Sequence, residues 1–355
     1  MDEKRLDWST WYVVPASLRF RLTPAGNLRA DAERAPHVMT ELAEVAADQV
    51  ELLLGFASPL AAEAAFARAA ETWDLDRETY GLLLETWIAR GLLRPAGAGA
   101  YATTRLAVFA EAVAEKAATA SPVFPLRSHF AMQQPVLFVP GLGTREIHDG
   151  RRFPWVAVLE AAFPLIQAEF SALLASADFL RVNPDFTHQG EWAAAYLWAH
   201  GERIEAICRQ CPETTRLLTS IPGVSQFGLA MFSALAPHTR IAPHHGVTNA
   251  ILRCQLPLRV PPGCKLKVGD HELEQQEGRC IVFDDSFLHS AWNDSDQARF
   301  VLLFDFFHPD LTGDEIEYLA RLPAKQAMAK HHLAQAIDGP KAAWAKPEPA
   351  GDAPG

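Results

Sequence analysis

Residues 283–311, FDDSFLHSAWNDSDQARFVLLFDFFHPDL, decide the fold. An apolar run from Ile281 to Phe283 ends at Asp284-Asp285, a polar stretch from Asn293 to Gln297 has turn composition, and Arg299-Phe-Val-Leu-Leu-Phe opens a run of β-forming residues. The span reads as strand, turn, strand. Period two along the second strand puts Arg299, Val301 and Leu303 on one face and Phe300, Leu302 and Phe304 on the other. An arginine that shares a face with apolar residues needs a buried anion beside it. His289, at the edge of the preceding strand, raises the question of whether that anion is a protein carboxylate or a ligand beside a metal.

Working outward, APHHGVTN at 242–249 places His244 about 45 residues before His289. Alone, each residue has a plainer reading: a structural histidine held by hydrogen bonds, or an arginine paired with a protein carboxylate. Jointly, two histidines at strand edges with a basic residue about ten further on are the order in which a double-stranded β-helix supplies ferrous iron and 2-oxoglutarate. Imidazole suits iron, and non-haem oxygenases usually add one carboxylate and leave positions open. That carboxylate would lie two residues after His244, where this chain has Gly246.

From about Gln134 to Leu311 the chain resembles the aspartyl/asparaginyl β-hydroxylase family, whose first motif also carries glycine there. The resemblance begins at VLFVPGLGTREIHDGRRFPWVAVLEAAFPLIQAEF, continues through QGEWAAAYLWAHGERIEAICRQCPETTRLL, and is densest in APHHGVTNAILRCQLPLRVPPGCKLKVGDHELEQQEGRCIVFDDSFLHSAWN. It implies iron ligation by His244 and His289, with water in the vacated position. It implies that Ser233 and Arg299 hold the distal carboxylate of 2-oxoglutarate, that Arg253 lies near the cosubstrate, and that Asp285 orients water or ligand at the metal. Where the family usually has histidine, two residues after Arg253, this chain has Gln255. A glutamine can donate a hydrogen bond to a carboxylate but cannot become cationic.

At 355 residues the chain has room for two domains, and 49% hydrophobic with 21% charged residues is an ordinary globular composition. A net charge of −11 argues against nucleic-acid binding. The start, MDEKRLDWSTW, lacks the apolar core of a signal peptide, and no run approaches the length of a membrane span, so a cytoplasmic protein is expected. Five cysteines fit a reducing compartment. Cys208 and Cys211 form a C-x-x-C without a second pair, while Cys254, Cys264 and Cys280 read as small buried residues. His245 reads as a surface position opposite His244, His308 as structural or at the site rim, and Trp192 and Trp198 as packing residues on a helical or loop segment.

The N-terminal part has another character. Leu18 to Leu22 alternates as a strand, a helix is expected over Met39 to Leu54, and Ser58-Pro59 starts a second. Asp76 caps a third, with Leu83, Leu84, Trp87 and Ile88 as its apolar stripe and Gly91 as its end. This order weakly resembles the winged-helix domains with which peptide-modifying enzymes recognise a leader segment; a purely structural or dimerising appendage is the other reading. The expected organisation is a winged-helix-like domain over 1–100, a connecting helix or linker over 101–124 (from Ala102 to Phe124), an oxygenase domain over 125–325 and a C-terminal helix end and tail over 326–355. A helix is expected from Asp314 to about Ile337, followed by the disordered tail GPKAAWAKPEPAGDAPG.

The fold class expected is α+β: a double-stranded β-helix with flanking helices plus the small N-terminal domain. The activity implied is hydroxylation of an unactivated carbon with Fe(II), 2-oxoglutarate and O2. A peptide or protein, modified at the β-carbon of Asp or Asn, is the substrate the resemblance favours. A lipid acyl chain or small metabolite is the alternative within the family, and a catalytically silent peptide-binding module is the alternative outside it.

Overall fold

A computed structural model describes residues 11–322 apart from 16–17, 24–26, 36–37, 55, 57–59, 73–74, 97–104, 120–123 and 183–185, together with Leu6, residues 339–342 and Trp344. The chain divides into two compact units, Met1–Thr144 and Arg145–Gly355.

The first unit holds β1 (Trp11–Val13), β2 (Leu18–Leu22), β3 (Leu28–Ala35), β4 (Val38–Val45), α1 (Val50–Leu54), β5 (Leu60–Ala61), α2 (Ala62–Thr72), α3 (Arg77–Ala89), β6 (Arg94–Ala96) and α4 (Arg105–Thr119). Strand β1 lies between β5 and β6, and β3 lies between β2 and β4. The helix expected over 39–54 is thus strand up to Val45, and only its second half is helical, a 3-10 turn over Ala47–Gln49 running into Val50–Leu54. Pairing explains it: Val45 and Ala43 face Leu28 and Ala30 across the ladder, and Leu28 and Ala30 are fully buried, so cross-strand packing overrides helical composition. The third helix starts as read, with the Asp76 carboxylate accepting from Thr79 N at 2.8 Å. Leu84 and Trp87 of its stripe are buried, and Gly91, at φ 72°, takes the left-handed turn that ends it. Residues 125–144, expected with the oxygenase domain, lie in this unit, because Phe20 and the segment at 129–131 exchange backbone hydrogen bonds. The Ser58-Pro59 start, both ends of the connecting segment, residues 323–338 of the C-terminal helix and most of the tail lie outside the described residues.

The second unit opens with β7 (Ile147–His148), α5 (Pro154–Ala161), α6 (Phe163–Ser176), β8 (Leu180–Arg181), β9 (Thr187–Gln189), β10 (Trp192–Ala199), β11 (Glu202–Arg203), α7 (Glu205–Cys208) and α8 (Pro212–Thr219). It continues through β12 (Leu229–Leu235), β13 (Thr239–Ile241), β14 (Ile251–Arg259), β15 (Cys264–Val268), β16 (His271–Glu274), β17 (Ile281–Phe283), β18 (His289–Asn293), β19 (Arg299–Phe307) and α9 (Gly313–Ala320). Two antiparallel sheets result: a major one ordered β11-β10-β12-β19-β14-β17-β7, with β8 also on β10, and a minor one ordered β16-β15-β18-β13-β9. From β12 to β19 the chain passes to and fro between them, major at β12, β14, β17 and β19, minor at β13, β15, β16 and β18. This is a double-stranded β-helix.

The period-two reading of β19 holds. Phe300, Leu302, Phe304 and Phe306 pack with Phe153, Leu159, Ile166 and Phe170 of the α5–α6 region in the larger core, where Trp155 and Phe306 meet at 4.8 Å. Val301 and Leu303 join Ala194, Tyr196 and Met231 in a separate inner cluster. Trp192 and Trp198 lie on strand β10, not on a helix or loop. A register shift between Tyr196 and Trp198 sends Trp198 to the outer core and leaves Trp192 with the inner cluster. Among the described residues no single helix is long and apolar enough to cross a membrane. Cys208 and Cys211 are free and buried in the outer core, where Cys208 Sγ donates to the Leu197 carbonyl at 3.3 Å. Cys254 and Cys264 are buried as read, and Cys280 is half-buried.

One buried acid gives this unit a pH dependence. Glu146 is 4% exposed, and His271 Nε2 stands 3.0 Å from its Oε2 outside hydrogen-bonding geometry. Burial, helped by Asp270, pushes its carboxyl from the ordinary 4.5 up to about 7. The folded state therefore holds this proton more tightly than the unfolded chain, and stability present below about pH 4.5 is lost as pH rises through 7. The expected loss is on the order of 2–3 kcal/mol. Thermal melts of the parent and Glu146→Gln between roughly pH 5 and pH 8 should show a flatter dependence in the variant; parallel curves would refute the assignment.

Candidate functional site

His244 and His289 meet as a β-bridge between the loop after β13 and the first residue of β18. Their backbones exchange hydrogen bonds of 3.0 and 2.9 Å, and their rings lie 4.1 Å apart. His244 Nδ1 lies 2.8 Å from the Ala242 carbonyl and His289 Nδ1 3.0 Å from the Phe287 carbonyl. A carbonyl can only accept, so each Nδ1 carries the proton and each Nε2 keeps its lone pair. Burial holds both imidazoles neutral, with His289 well below the ordinary histidine range. Two adjacent neutral imidazoles with pinned rings are a ready pair of ligands for a divalent metal.

The place where a third ligand is absent is filled by another carboxylate. A Cβ added at Gly246 would lie 2.2 Å from Asp285 Oδ1 and 2.4 Å from its Cγ, so the Asp285 carboxylate packs directly against the glycine. Asp285 is 2% exposed; its Oδ2 pairs with Arg253 Nη1 at 2.9 Å, and its Oδ1 receives no hydrogen bond. Burial pushes its carboxyl up to about 6 despite that arginine. Arg253 itself is spoken for. Its Nε and Nη2 hold Asp305 at 2.7 and 3.2 Å, and Asp305 also accepts from Leu229 N at 3.0 Å. The cation expected beside a cosubstrate therefore serves two protein carboxylates, and one negative charge remains over.

Arg299 has the opposite imbalance. It is 1% exposed, and among the described residues no carboxylate pairs with it. Its Nε donates to Gln275 Oε1 and its Nη2 to Gln255 Oε1, both at 2.9 Å. Burial lowers its pKa to about 10, so it remains a cation at neutral pH. Gln275 directly follows β16 of the minor sheet and Gln255 lies on β14 of the major one, which places the guanidinium between the sheets. On β12, Ser233 pairs in register with Val301, and Leu235 with Arg299, so Ser233 shares the inner face with the arginine. Its Oγ accepts from Trp192 Nε1 at 2.9 Å and retains its own proton for a ligand.

His244, His289 and Asp285 thus converge around Gly246, while Ser233, Gln255 and Arg299 form the lining of the neighbouring inner face. His245 is half-buried and tied through Nδ1 to the Ser286 carbonyl at 3.1 Å, not the plain surface residue expected. His308 is buried 6.1 Å from the His148 ring. Phe186, 37% exposed, sets its ring tilted 5.3 Å from that of His244 and was not anticipated. Nor were Gln275 and Asp305. Asp305 falls on the period-two face of Arg299 and could have been found by extending that count.

The double-stranded β-helix thus holds a neutral histidine pair, a carboxylate packed against a glycine, and a buried arginine with which no carboxylate pairs among the described residues. Residues 160–309 match the family described as Aspartyl/Asparaginyl beta-hydroxylase. It is 38% identical over 207 residues to the human aspartate beta-hydroxylase domain-containing protein 2, a match covering 55% of this chain and 56% of that protein. It is 35% identical over 165 residues to the human aspartyl/asparaginyl beta-hydroxylase, covering 45% of this chain and 22% of that protein. An ornithine lipid ester-linked acyl 2-hydroxylase of Rhizobium tropici is 34% identical over 178 residues, covering 47% of this chain and 62% of that protein. The chain spans about half the length of the first of these relatives.

Gly246 supplies a test of the site's packing. Any side chain there meets the Asp285 carboxylate well inside contact distance, so Gly246→Asp forces two carboxylates into one space instead of simply adding a ligand. On the oxygenase reading proposed below, the expected result is a variant that still takes up metal through the histidines but has lost at least about 90% of its activity, roughly 1.4 kcal/mol or more at the transition state. Undiminished activity, measured as succinate formed, would show that this close approach does not matter.

Proposed function

We propose that the protein is an Fe(II)- and 2-oxoglutarate-dependent dioxygenase that hydroxylates an unactivated carbon. The observation that carries this reading is the split of buried charge: Arg299 lacks an anion, whereas Asp285 and Asp305 share one arginine and lack a cation. A bound carboxylate answers the first and a divalent metal the second.

The residues fit both. His244 and His289 would hold iron through their Nε2 atoms, and two protein ligands leave exchangeable positions for a chelating 2-oxo acid and dioxygen. When bound, the iron with 2-oxoglutarate and O2 supplies the oxidising power for C–H hydroxylation, with succinate and CO2 as coproducts. Asp285 Oδ1, unpaired and facing the Gly246 backbone, would orient water or ligand near the metal. Arg299 and Ser233 would grip the distal carboxylate of the cosubstrate, the arginine by a planar two-pronged contact. Arg253 holds Asp285 and Asp305 in place, supporting the site from behind.

The names of the human relatives favour an Asp or Asn residue of a peptide or protein as substrate, modified at the β-carbon. The Rhizobium tropici relative is the specific ground for a second reading, an acyl chain. The discriminating experiment incubates the iron-loaded enzyme with 2-oxoglutarate and either Asp/Asn peptides or ornithine lipid, and follows succinate and the mass of the product. Before that, anaerobic addition of Fe(II) and 2-oxoglutarate should give a weak visible charge-transfer band. Its absence would remove the oxygenase reading and favour a silent binding module.

For the N-terminal unit, recognition of a leader segment is supported by the outer edge of β4, which has only β3 as a strand partner among the described residues and could accept an extended peptide. A substrate peptide shortened to the residues around the modified one should then lose kcat/KM while kcat at saturation is kept. Equal kcat/KM for long and short peptides would remove this role.

A further inference from the structure

The side chain that decides how Arg299 is presented is Gln275. A guanidinium has five N–H donors and no acceptor, so the carboxamide oxygens of Gln275 and Gln255, and not their NH2 groups, must face it, at 2.9 Å each. Gln275 Nε2 then donates to Gln255 Oε1 at 2.7 Å, closing a ring of three side chains. The oxygens occupy the edge of the guanidinium formed by Nε and Nη2. The Nη1–Nη2 edge is left for a ligand, and the Gln255 amide nitrogen, with no protein acceptor among the described residues, is left as a further donor. Both oxygens are neutral, so they satisfy Arg299 without cancelling its charge.

We infer that Gln275 is a positioning and specificity-determining residue of the carboxylate pocket: it fixes which edge of Arg299 meets the ligand and, by being an amide and not an acid, keeps the arginine's charge for that ligand. This rests on the reading above that Arg299 takes the distal carboxylate of 2-oxoglutarate. Gln275 acts through the arginine and need not touch the cosubstrate.

Charge and hydrogen bonding can be separated with two substitutions of similar size. Gln275→Glu keeps an acceptor on Nε but adds a negative charge, so Arg299 acquires an internal partner that competes with the cosubstrate. Gln275→Met removes the acceptor and adds no charge. With 2-oxoglutarate as the probe and the anaerobic Fe(II) enzyme in a calorimeter, affinity should fall at least about tenfold in the Glu variant and roughly two- to tenfold in the Met variant. Iron uptake should be unchanged in both. The ligand-free melting temperature should move the other way, with the Glu variant at or above the parent and the Met variant below it. A residue with only a structural role would tie affinity to ligand-free stability and so rank Glu as the better binder. Parental affinity in the Glu variant, or a Met variant weaker than Glu, overturns the inference. If the Glu variant fails to fold, the same charge placed by Gln255→Glu must produce the tenfold loss, and parental affinity there overturns it equally. Should the parent itself bind no 2-oxoglutarate, the cosubstrate reading falls and this inference with it. If the parent binds and Arg299→Ala does not, unaltered Gln275 variants refute this inference alone.

Discussion

Replacing His289 by alanine is expected to abolish stable iron binding and reduce 2-oxoglutarate turnover to background, the largest effect of any single change in the site. Only two protein ligands are proposed, so the variant keeps one anchor and loses the chelate. The Nδ1 bond to the Phe287 carbonyl sets the tautomer and ring orientation of the lost ligand. His244→Ala should behave in the same way. Because the two backbones bridge each other through main-chain atoms, neither substitution removes the pairing that holds the loop. Folding, checked by circular dichroism, should therefore persist while iron content measured after desalting falls to the level of a metal-free control. Near-parental turnover in either variant would refute the ligand assignment.

Arg299→Ala should raise the 2-oxoglutarate requirement strongly with iron uptake intact. A charge-assisted contact to a buried carboxylate is worth about 1.5–3 kcal/mol, or roughly ten- to more than a hundredfold in affinity. Arg299→Lys should recover only part of this, since an ammonium lacks the planar fork and would reach one of the two glutamine oxygens at best. The alanine variant also relieves the buried, anion-free cation, so its ligand-free stability should suffer less than a lost ion pair would imply. An unchanged cosubstrate titration would move the carboxylate anchor elsewhere. Arg253 is a poor candidate for it, with all three guanidinium nitrogens on Asp285 and Asp305.

Much of the site was legible in local sequence. Alternation in Arg299-Phe-Val-Leu-Leu-Phe assigns each residue to a face because a strand has only two, and the polar run before it can only be a turn between strands. The spacing of His244, His289 and Arg299 was readable for the same reason. The Asp76 cap and the Gly91 end of the third helix were also local, the first set by one carboxylate and a backbone N–H three residues on, the second by a glycine free to take positive φ.

Other features depended on partners distant in the chain. Met39 to Leu54 has helical composition, yet its first part, up to Val45, pairs with β3, because Leu28 and Ala30 offer a buried ladder that no local propensity reveals. The two tryptophans of β10 fall on opposite faces through a register shift imposed by β12. Gly246 marked a missing ligand in the sequence, but only packing brought the carboxylate of Asp285, 39 residues on, into that space. The roles of the two arginines were decided likewise. Sequence alone determined that Arg299 shares a strand face with apolar residues, and the family resemblance implied that Arg253 lies near the cosubstrate. The tertiary structure decided that Arg253 is paired with Asp285 and Asp305 while Arg299 is held by two amides, since buried charge is balanced by whatever stands within hydrogen-bonding distance, and β14, β17 and β19, apart in sequence, become neighbours only when the major sheet forms.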